Sequence, residues 1–169
     1  EIAQNVQPGQ LLLSIIAGVS IHYFEEQIPN TAFIRVMPNT GAAVGKGAAG
    51  LVAGTLATSA QKEMAQAVFE AVGTTVWIED QDVDGLSAIS GSGGAYFYLL
   101  AQYMAEAAAQ VGLTLEQGAV LARQTLNGVG KTLEAFPEKT PEQLRLEITS
   151  PKGSTLAAIE TFQNHDFAA

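Results

Sequence analysis

Residues Ser87 to Val111 read SAISGSGGAYFYLLAQYMAEAAAQV, and this stretch decides the fold. From Phe97 onward it holds no helix breaker. From Ala95 onward the polar side chains, tyrosine hydroxyls aside, are Gln102, Glu106 and Gln110. Their i, i+4, i+8 spacing makes one narrow stripe on a helix, and everything else is Ala, Leu, Met, Val or aromatic. A helix apolar on nearly all sides has to be covered on nearly all sides. One small domain rarely covers a central helix so fully, so a second domain or a second copy of the chain is expected to do so. Gly91, Gly93 and Gly94 leave room for another backbone or a ligand at the start of this helix.

Composition narrows the alternatives. The 169 residues suffice for one ordinary domain or two small ones, and 47% hydrophobic with 15% charged residues fits a globular protein. No window is long and apolar enough for a membrane span. Residue 1 is Glu, and no basic segment precedes an apolar run, so no secretory leader is expected in this stretch. The absence of cysteine rules out disulfides and thiolate metal sites, and fits a cytoplasmic protein. A net charge of −9 disfavours nucleic acid as a partner. An anionic small ligand would need backbone amides or a few local cations.

Before residue 79 the chain alternates strand and helix. Residues 1–9 read as the tail of a helix and a Pro8-Gly9 turn, which suggests that a preceding portion is missing. Leu11 to Ile16 is a short apolar run, the mark of a strand covered on both faces. Ser20 can cap a helix through about Gln27. Ala32 to Met37 is a second strand, closed by Pro38-Asn39, and a third follows near Ala48 to Ala53. Thr58 with Gln61 forms a capping box. The helix behind it would present Met64, Ala67, Val68, Ala71 and Val72 as its apolar face and stop at Gly73. Thr74 to Ile78 is a fourth strand. This order predicts a mainly parallel α/β sheet, the second half of a doubly wound domain, over residues 1–79.

From residue 80 to 169 the pattern is helical. Thr114 and Gln117 form a capping box, with Ala119, Ala122, Leu126, Val129 and Leu133 at 3/4 spacing. Thr140-Pro141-Glu142-Gln143 combines a cap, a proline at the first helical position and the box glutamine. Ser150-Pro151 repeats the cap-plus-proline start and predicts a helix through about Phe162.

Several motifs invite chemistry. Gly45-x-Gly47-x-x-Gly50 matches the dinucleotide fingerprint as letters, yet here it precedes a strand, so a glycine-rich connection is expected. Ser92 lies in Ile-Ser-Gly-Ser-Gly, near a nucleophile elbow, but no strand leads into it and only His22 and His165 are available as a base. Two isolated histidines do not make a metal site, and none is expected. Lys131, behind Asn127-Gly128-Val129-Gly130, is placed like the lysine of some hydroxyacid dehydrogenases; pairing with Glu134 or Glu138 is the plainer reading. Ser150-Pro151-Lys152-Gly153-Ser154-Thr155 would offer backbone amides and hydroxyls at a helix start, where carboxylates bind.

Taken together, these pieces resemble the pyrroline-5-carboxylate reductase family. The resemblance is carried, in family order, by Ala17-Gly18-Val19-Ser20, Arg35-Val36-Met37-Pro38-Asn39-Thr40 and Ser90-Gly91-Ser92-Gly93-x-Ala95-Tyr96. It continues through Gly112-Leu113, Gln124-Thr125, Pro141-x-x-Leu144 and Thr149-Ser150-Pro151-x-Gly153-x-Thr155. The chain departs from the family where Gly94 replaces its usual proline and Lys152 its usual glycine. The family's N-terminal strand and glycine-rich cofactor loop have no counterpart in these residues, nor does the end of its last helical region after Phe167.

The resemblance implies part of a Rossmann domain, residues 1–79, followed by a helical dimerisation and substrate-site domain, residues 80–169, that interleaves with a second copy. It implies hydride transfer from NADPH or NADH to the imine carbon of 1-pyrroline-5-carboxylate, giving L-proline. A homodimer is implied, with higher assembly left open. By position, Ile15, Ile16, Ala17 and the Met37-Pro38-Asn39 turn should flank the nicotinamide half of the cofactor, with Glu147 contacting it from the helical domain. Ser150, Gly153, Ser154 and Thr155 should hold the substrate, and Asp80 and Glu138 fall near its imine. Two alternatives stand beside this: a related hydroxyacid dehydrogenase using Lys131, and a non-catalytic dimeric paralogue that lacks the cofactor loop.

Overall fold

A computed structural model describes residues 2–165. The chain divides into two units, residues 1–99 and residues 100–169. The first holds a four-stranded sheet in the order β1-β2-β3-β4, made of β1 (Leu11–Ser14), β2 (Ala32–Met37), β3 (Gly47–Ala53) and β4 (Gly73–Trp77). Helix α1 (Ile21–Gln27) carries the chain from β1 to its parallel neighbour β2, and α2 (Ser59–Glu70) carries it from β3 to its parallel neighbour β4.

The sheet is mixed where a mainly parallel one is expected. Strands β2 and β3 pair antiparallel, with Met37 opposite Gly50 and Ile34 opposite Ala53. Residues 38–46 separate them, most of them in a short 3-10 turn, Thr40–Val44, closed by the left-handed Gly45. A parallel return needs a crossover of a dozen or more residues, which residues 38–46 cannot supply. Strand β1 also ends at Ser14, so Ile15 and Ile16 lie in the exposed loop that follows it.

Strand β2 is the centre of the core. Ile34 and Val36 face Ala49, Leu51 and Ala65, with Phe69 of α2 packed against them. Phe33, on the other face, joins Ile21, Val52 and Val83, supported by Phe24 and Met37. Helix α2 meets the sheet through Ala65 and Phe69, whereas Met64 and Val68, expected on its buried face, are 61% and 51% exposed. The predicted stripe sits beside the one that packs, in which Ala65 is fully buried.

The glycine triplet Gly45, Gly47 and Gly50 is no phosphate loop. Gly47 and Gly50 lie within β3, and a Cβ on Gly50 would collide with Leu86. Its role is to admit α3 (Val83–Leu86) onto the sheet. From α3 the chain continues through a π-helical turn, Ser87–Gly91, into α4 (Gly93–Ala108). Ser92 therefore lies within a continuous helical run and not on a strand-to-helix elbow.

In the second unit, α4 ends through a short 3-10 turn at the left-handed Gly112, φ 91°. Helix α5 (Leu115–Ala135) folds back on it. The two approach closely at Gly118, where a Cβ would lie 2.5 Å from Ala108 Cβ and 2.6 Å from the Ala105 carbonyl. Capping boxes start α2 at Thr58, α5 at Thr114 and α6 (Pro141–Glu147) at Thr140, as the sequence predicts. Such caps contribute about 1 kcal/mol each. The last helix, α7, spans Ser154–Asn164 and begins later than its Ser150-Pro151 start predicts. Lys152 adopts φ 61°, a left-handed conformation that interrupts a helix, and the chain turns helical only after Gly153. Phe167 lies outside the described residues.

Helices α4 and α5 leave much of their apolar surface uncovered within this chain. Phe97 is 59% exposed, and Tyr96, Leu100, Tyr103, Met104, Leu121 and Val129 are also open. Gln102 donates to Glu106 at 2.9 Å, so two members of the predicted polar stripe lie on α4, while Gln110 falls in the 3-10 turn beyond its end. A patch of this extent marks an interaction surface.

Candidate active site

The first cluster forms where β1 and β2, running parallel, reach their C-terminal ends. Open α/β sheets bind ligands at such ends. Ile15 and Ile16 are 61% and 55% exposed there, and Ala17-Gly18 turns the chain, with Gly18 at φ 74°. The Met37-Pro38-Asn39 turn ends the neighbouring strand. Its asparagine is committed on three sides. Asn39 Oδ1 accepts from the Gly41 and Ala48 amides, both at 3.1 Å, and Nδ2 donates to the Ser90 carbonyl at 3.1 Å. A Cβ built on Gly91 would lie 3.7 Å from Met37 Cε, so this glycine faces the methionine side chain. The structure thus brings the turn after β2 against the glycine-rich start of α4.

Asp80 lies beside this cluster, and its carboxylate is engaged. Arg35 Nη1 donates to Asp80 Oδ1 at 2.7 Å, and the Ile21 amide at the start of α1 reaches the same oxygen at 3.4 Å. The Arg35 side chain is 8% exposed and that of Asp80 29%. Arg35 Nε is buried without a partner. The pair fastens β2 to α1 and to the segment leading into α3. The family resemblance implies that Asp80 falls near the substrate, and the structure pairs it with Arg35. The sequence carries a signal of that pair: an arginine inside the otherwise apolar run Ala32 to Met37 demands a buried partner.

The second cluster lies in the other unit, around the connection from α6 to α7. Glu147, at the end of α6, receives Lys139 Nζ at 2.7 and 3.0 Å, and that ammonium also sits 5.0 Å from the Phe136 ring centroid. Ser150, Pro151 and Lys152 form the turn that precedes α7. The Gly153 amide donates to the Ser150 carbonyl at 3.1 Å, which removes it from the amides expected to bind a carboxylate. Gly153 is the N-cap and supplies no side-chain acceptor, so Ser154 and Thr155 open α7 without a side-chain cap. Glu138 is exposed in the loop between α5 and α6.

Other candidates resolve into ordinary structure. Lys131 pairs with Glu134 at 2.9 Å on an exposed face of α5. His22 meets Glu26 at 3.0 Å, and His165 Nδ1 lies 2.9 Å from the Thr161 carbonyl. No cluster of metal-ligating side chains occurs among the described residues. No helix among them is long and apolar enough to cross a membrane. A surface cleft of about 760 Å³, lined by Lys62, Gln66, Trp77 and Asp82 among others, shares no residue with the predicted site.

The architecture is a four-stranded mixed α/β sheet followed by helices with open apolar faces. Residues 80–169 match the family model for pyrroline-5-carboxylate reductase dimerisation. The chain belongs to the pyrroline-5-carboxylate reductase family. It is 39% identical over 170 residues to the pyrroline-5-carboxylate reductase of Pseudomonas aeruginosa, covering 99% of this chain and 62% of the relative. It is 40% identical over 174 residues to pyrroline-5-carboxylate reductase 2 of Bacillus subtilis, covering 99% of this chain and 61% of the relative. A pyrroline-5-carboxylate reductase structure from Coxiella burnetii superposes with a TM-score of 0.87 at 34% identity, over 94% of this chain and 59% of that one. A Plasmodium falciparum pyrroline carboxylate reductase with NADP bound superposes with a TM-score of 0.80 at 30% identity, over 94% of this chain and 64% of that one. The chain thus spans about three fifths of the length of these relatives.

Proposed function

We propose that the protein carrying this chain reduces 1-pyrroline-5-carboxylate to L-proline with NADPH or NADH. The observation that carries this reading is the 39% identity extending over 99% of the chain, so that both residue clusters fall within the shared stretch. Residues 1–79 act as part of the dinucleotide-binding domain, and residues 80–169 as the helical dimerisation and substrate-site domain. A second copy of the chain covers the open faces of α4 and α5, making a homodimer. As an enzyme of amino-acid biosynthesis it works in the cytoplasm.

The exposed Ile15-Ile16-Ala17 loop and the Met37-Pro38 backbone flank the nicotinamide half of the cofactor. Hydride adds to the imine carbon, the C=N pair moves onto nitrogen, and a proton completes the ring amine. A carboxylate near the nitrogen favours the protonated, more electrophilic imine. Asp80 Oδ1 is held by Arg35 and Ile21, which supports a structural role for that acid and leaves Glu138 for the electrostatic one. Glu147 is neutralised by Lys139, which favours the salt bridge over a cofactor contact.

The substrate carboxylate rests on the amides of Ser154 and Thr155, with the Ser150 hydroxyl close by in the chain. A net charge of −9 repels an anion at long range, so attraction must be local. A helix N-terminus supplies about half a positive charge. The Thr155 hydroxyl donates to or accepts from the substrate ring. Replacing Thr155 by alanine should lower kcat/KM for the imine by about tenfold to a hundredfold while cofactor affinity stays unchanged, the signature of a lost transition-state contact. An unchanged kcat/KM, or a loss arising wholly in cofactor binding, would remove Thr155 from the site.

A further inference from the structure

We propose that Asn39 is a positioning residue for this reaction: its carboxamide sets the start of α4 against the turn after β2 and does not itself bind the cofactor. The inference rests on the reductase reading above, and its starting point is hydrogen-bond bookkeeping. A primary amide offers two acceptor lone pairs and two N–H donors. Both lone pairs of Asn39 are engaged, by Gly41 and Ala48, and one N–H is given to Ser90. A single N–H remains, so a cofactor could gain little from this side chain without breaking a part-buried contact.

The three bonds differ in what they join. Those to Gly41 and Ala48 reach only two and nine positions along the chain and close the connection between β2 and β3. The bond to Ser90 crosses to residues fifty-one positions away. It lands in the π-helical turn Ser87–Gly91, and π turns are a recurrent device for placing backbone at functional sites. Met37, two residues before Asn39, packs toward Gly91 from the same turn. Farther back along β2, Arg35 grips Asp80, so the strand end and the segment 80–91 are tied at two points. Arg35–Asp80 fixes the beginning of that segment and Asn39–Ser90 its end. Of these contacts, the Asn39 amide supplies the hydrogen bond that joins the turn after β2 to the start of α4.

Asn39→Asp isolates that donor. It keeps an oxygen for the Gly41 and Ala48 amides and puts a second oxygen, which cannot donate when ionised, against the Ser90 carbonyl. In the enzyme with its complete dinucleotide-binding domain, kcat per cofactor-binding site should fall by about tenfold to a hundredfold, as expected for misplaced reacting groups, with the cofactor Kd within about threefold of the parent. Amide hydrogen exchange at Ser92 to Ala95 should accelerate by about tenfold or more while Gly41 and Ala48 remain protected. Should the aspartate variant not fold, Asn39→Ser retains a short acceptor for the local turn but cannot reach Ser90, and the same results are expected. A fall in cofactor affinity in step with kcat would make Asn39 a cofactor ligand and overturn the proposal, as would unchanged kcat and unchanged exchange. Parent enzyme that reduces no imine would instead overturn the reductase reading, while the exchange comparison still decides whether Asn39 holds the start of α4.

Discussion

Replacing Lys152 by glycine should stabilise the helical unit. Lys152 is held at φ 61°, where a residue with a Cβ incurs about 1–2 kcal/mol. Asn30 shares this conformation at φ 65°, but asparagine tolerates it and lysine does not. Glycine removes the strain, yet its freer unfolded chain gives back about 0.5–1 kcal/mol on folding. At the middle of both ranges the net gain is about 0.7 kcal/mol. Lys152 is exposed and makes no ion pair among the described residues, so no electrostatic loss offsets this. At this chain length the gain corresponds to a Tm rise of about 1–4 °C. Urea unfolding followed by circular dichroism should show a higher midpoint at unchanged slope. An equal or lower midpoint would refute the reasoning, because it would mean that the lysine is not strained where the family's usual residue is glycine.

Two further perturbations test the framework around the site. Asp80→Asn leaves the Arg35 guanidinium buried without its counter-charge and should cost about 1.5–3 kcal/mol in denaturant unfolding; the carboxylate's partial exposure keeps this below the loss for a fully buried pair. A cost near zero would show that the pair does not hold β2 to α1. Leu100→Glu places a charge on the open face of α4, where Leu100 is 39% exposed within one chain. If a second copy covers that face, losing two buried leucines at about 1.5–3 kcal/mol each should weaken association at least a hundredfold by sedimentation. A parent protein that sediments as a monomer would remove the dimer from the account.

Much of this architecture was legible in residue order, for identifiable reasons. Strand β2 is an apolar run broken only by Arg35 and ended by Pro38, and its observed bounds match the reading residue for residue. The capping boxes at Thr58, Thr114 and Thr140 are local chemistry and form as read. What escaped depended on neighbours distant in sequence. The antiparallel β2–β3 pairing follows from loop length, which a count of residues 38–46 reveals only once both strands are known to be adjacent. The buried face of α2 was misjudged because Met64 and Val68 are more hydrophobic than Ala65, although packing selected the smaller residue. The late start of α7 depends on the backbone angle of Lys152, and a Ser-Pro start signal does not report it. Of the candidate site residues, the Met37-Pro38-Asn39 turn was singled out by the family resemblance and the start of α7 by its Ser150-Pro151 signal. The bonds that lock Asn39 to Ser90 and Arg35 to Asp80 span 51 and 45 positions, beyond any local pattern.

The central claim is tested most directly by steady-state assay of this chain preceded by the family's N-terminal strand and glycine-rich loop, with 1-pyrroline-5-carboxylate and NADPH or NADH. The account predicts oxidation of the reduced cofactor matched one to one by L-proline, retained when Lys131, which lies on an exposed face of α5 paired with Glu134, is replaced by methionine. Oxidation of a hydroxy acid that vanishes with Lys131→Met, or a folded dimer that binds cofactor yet forms no proline, would contradict it.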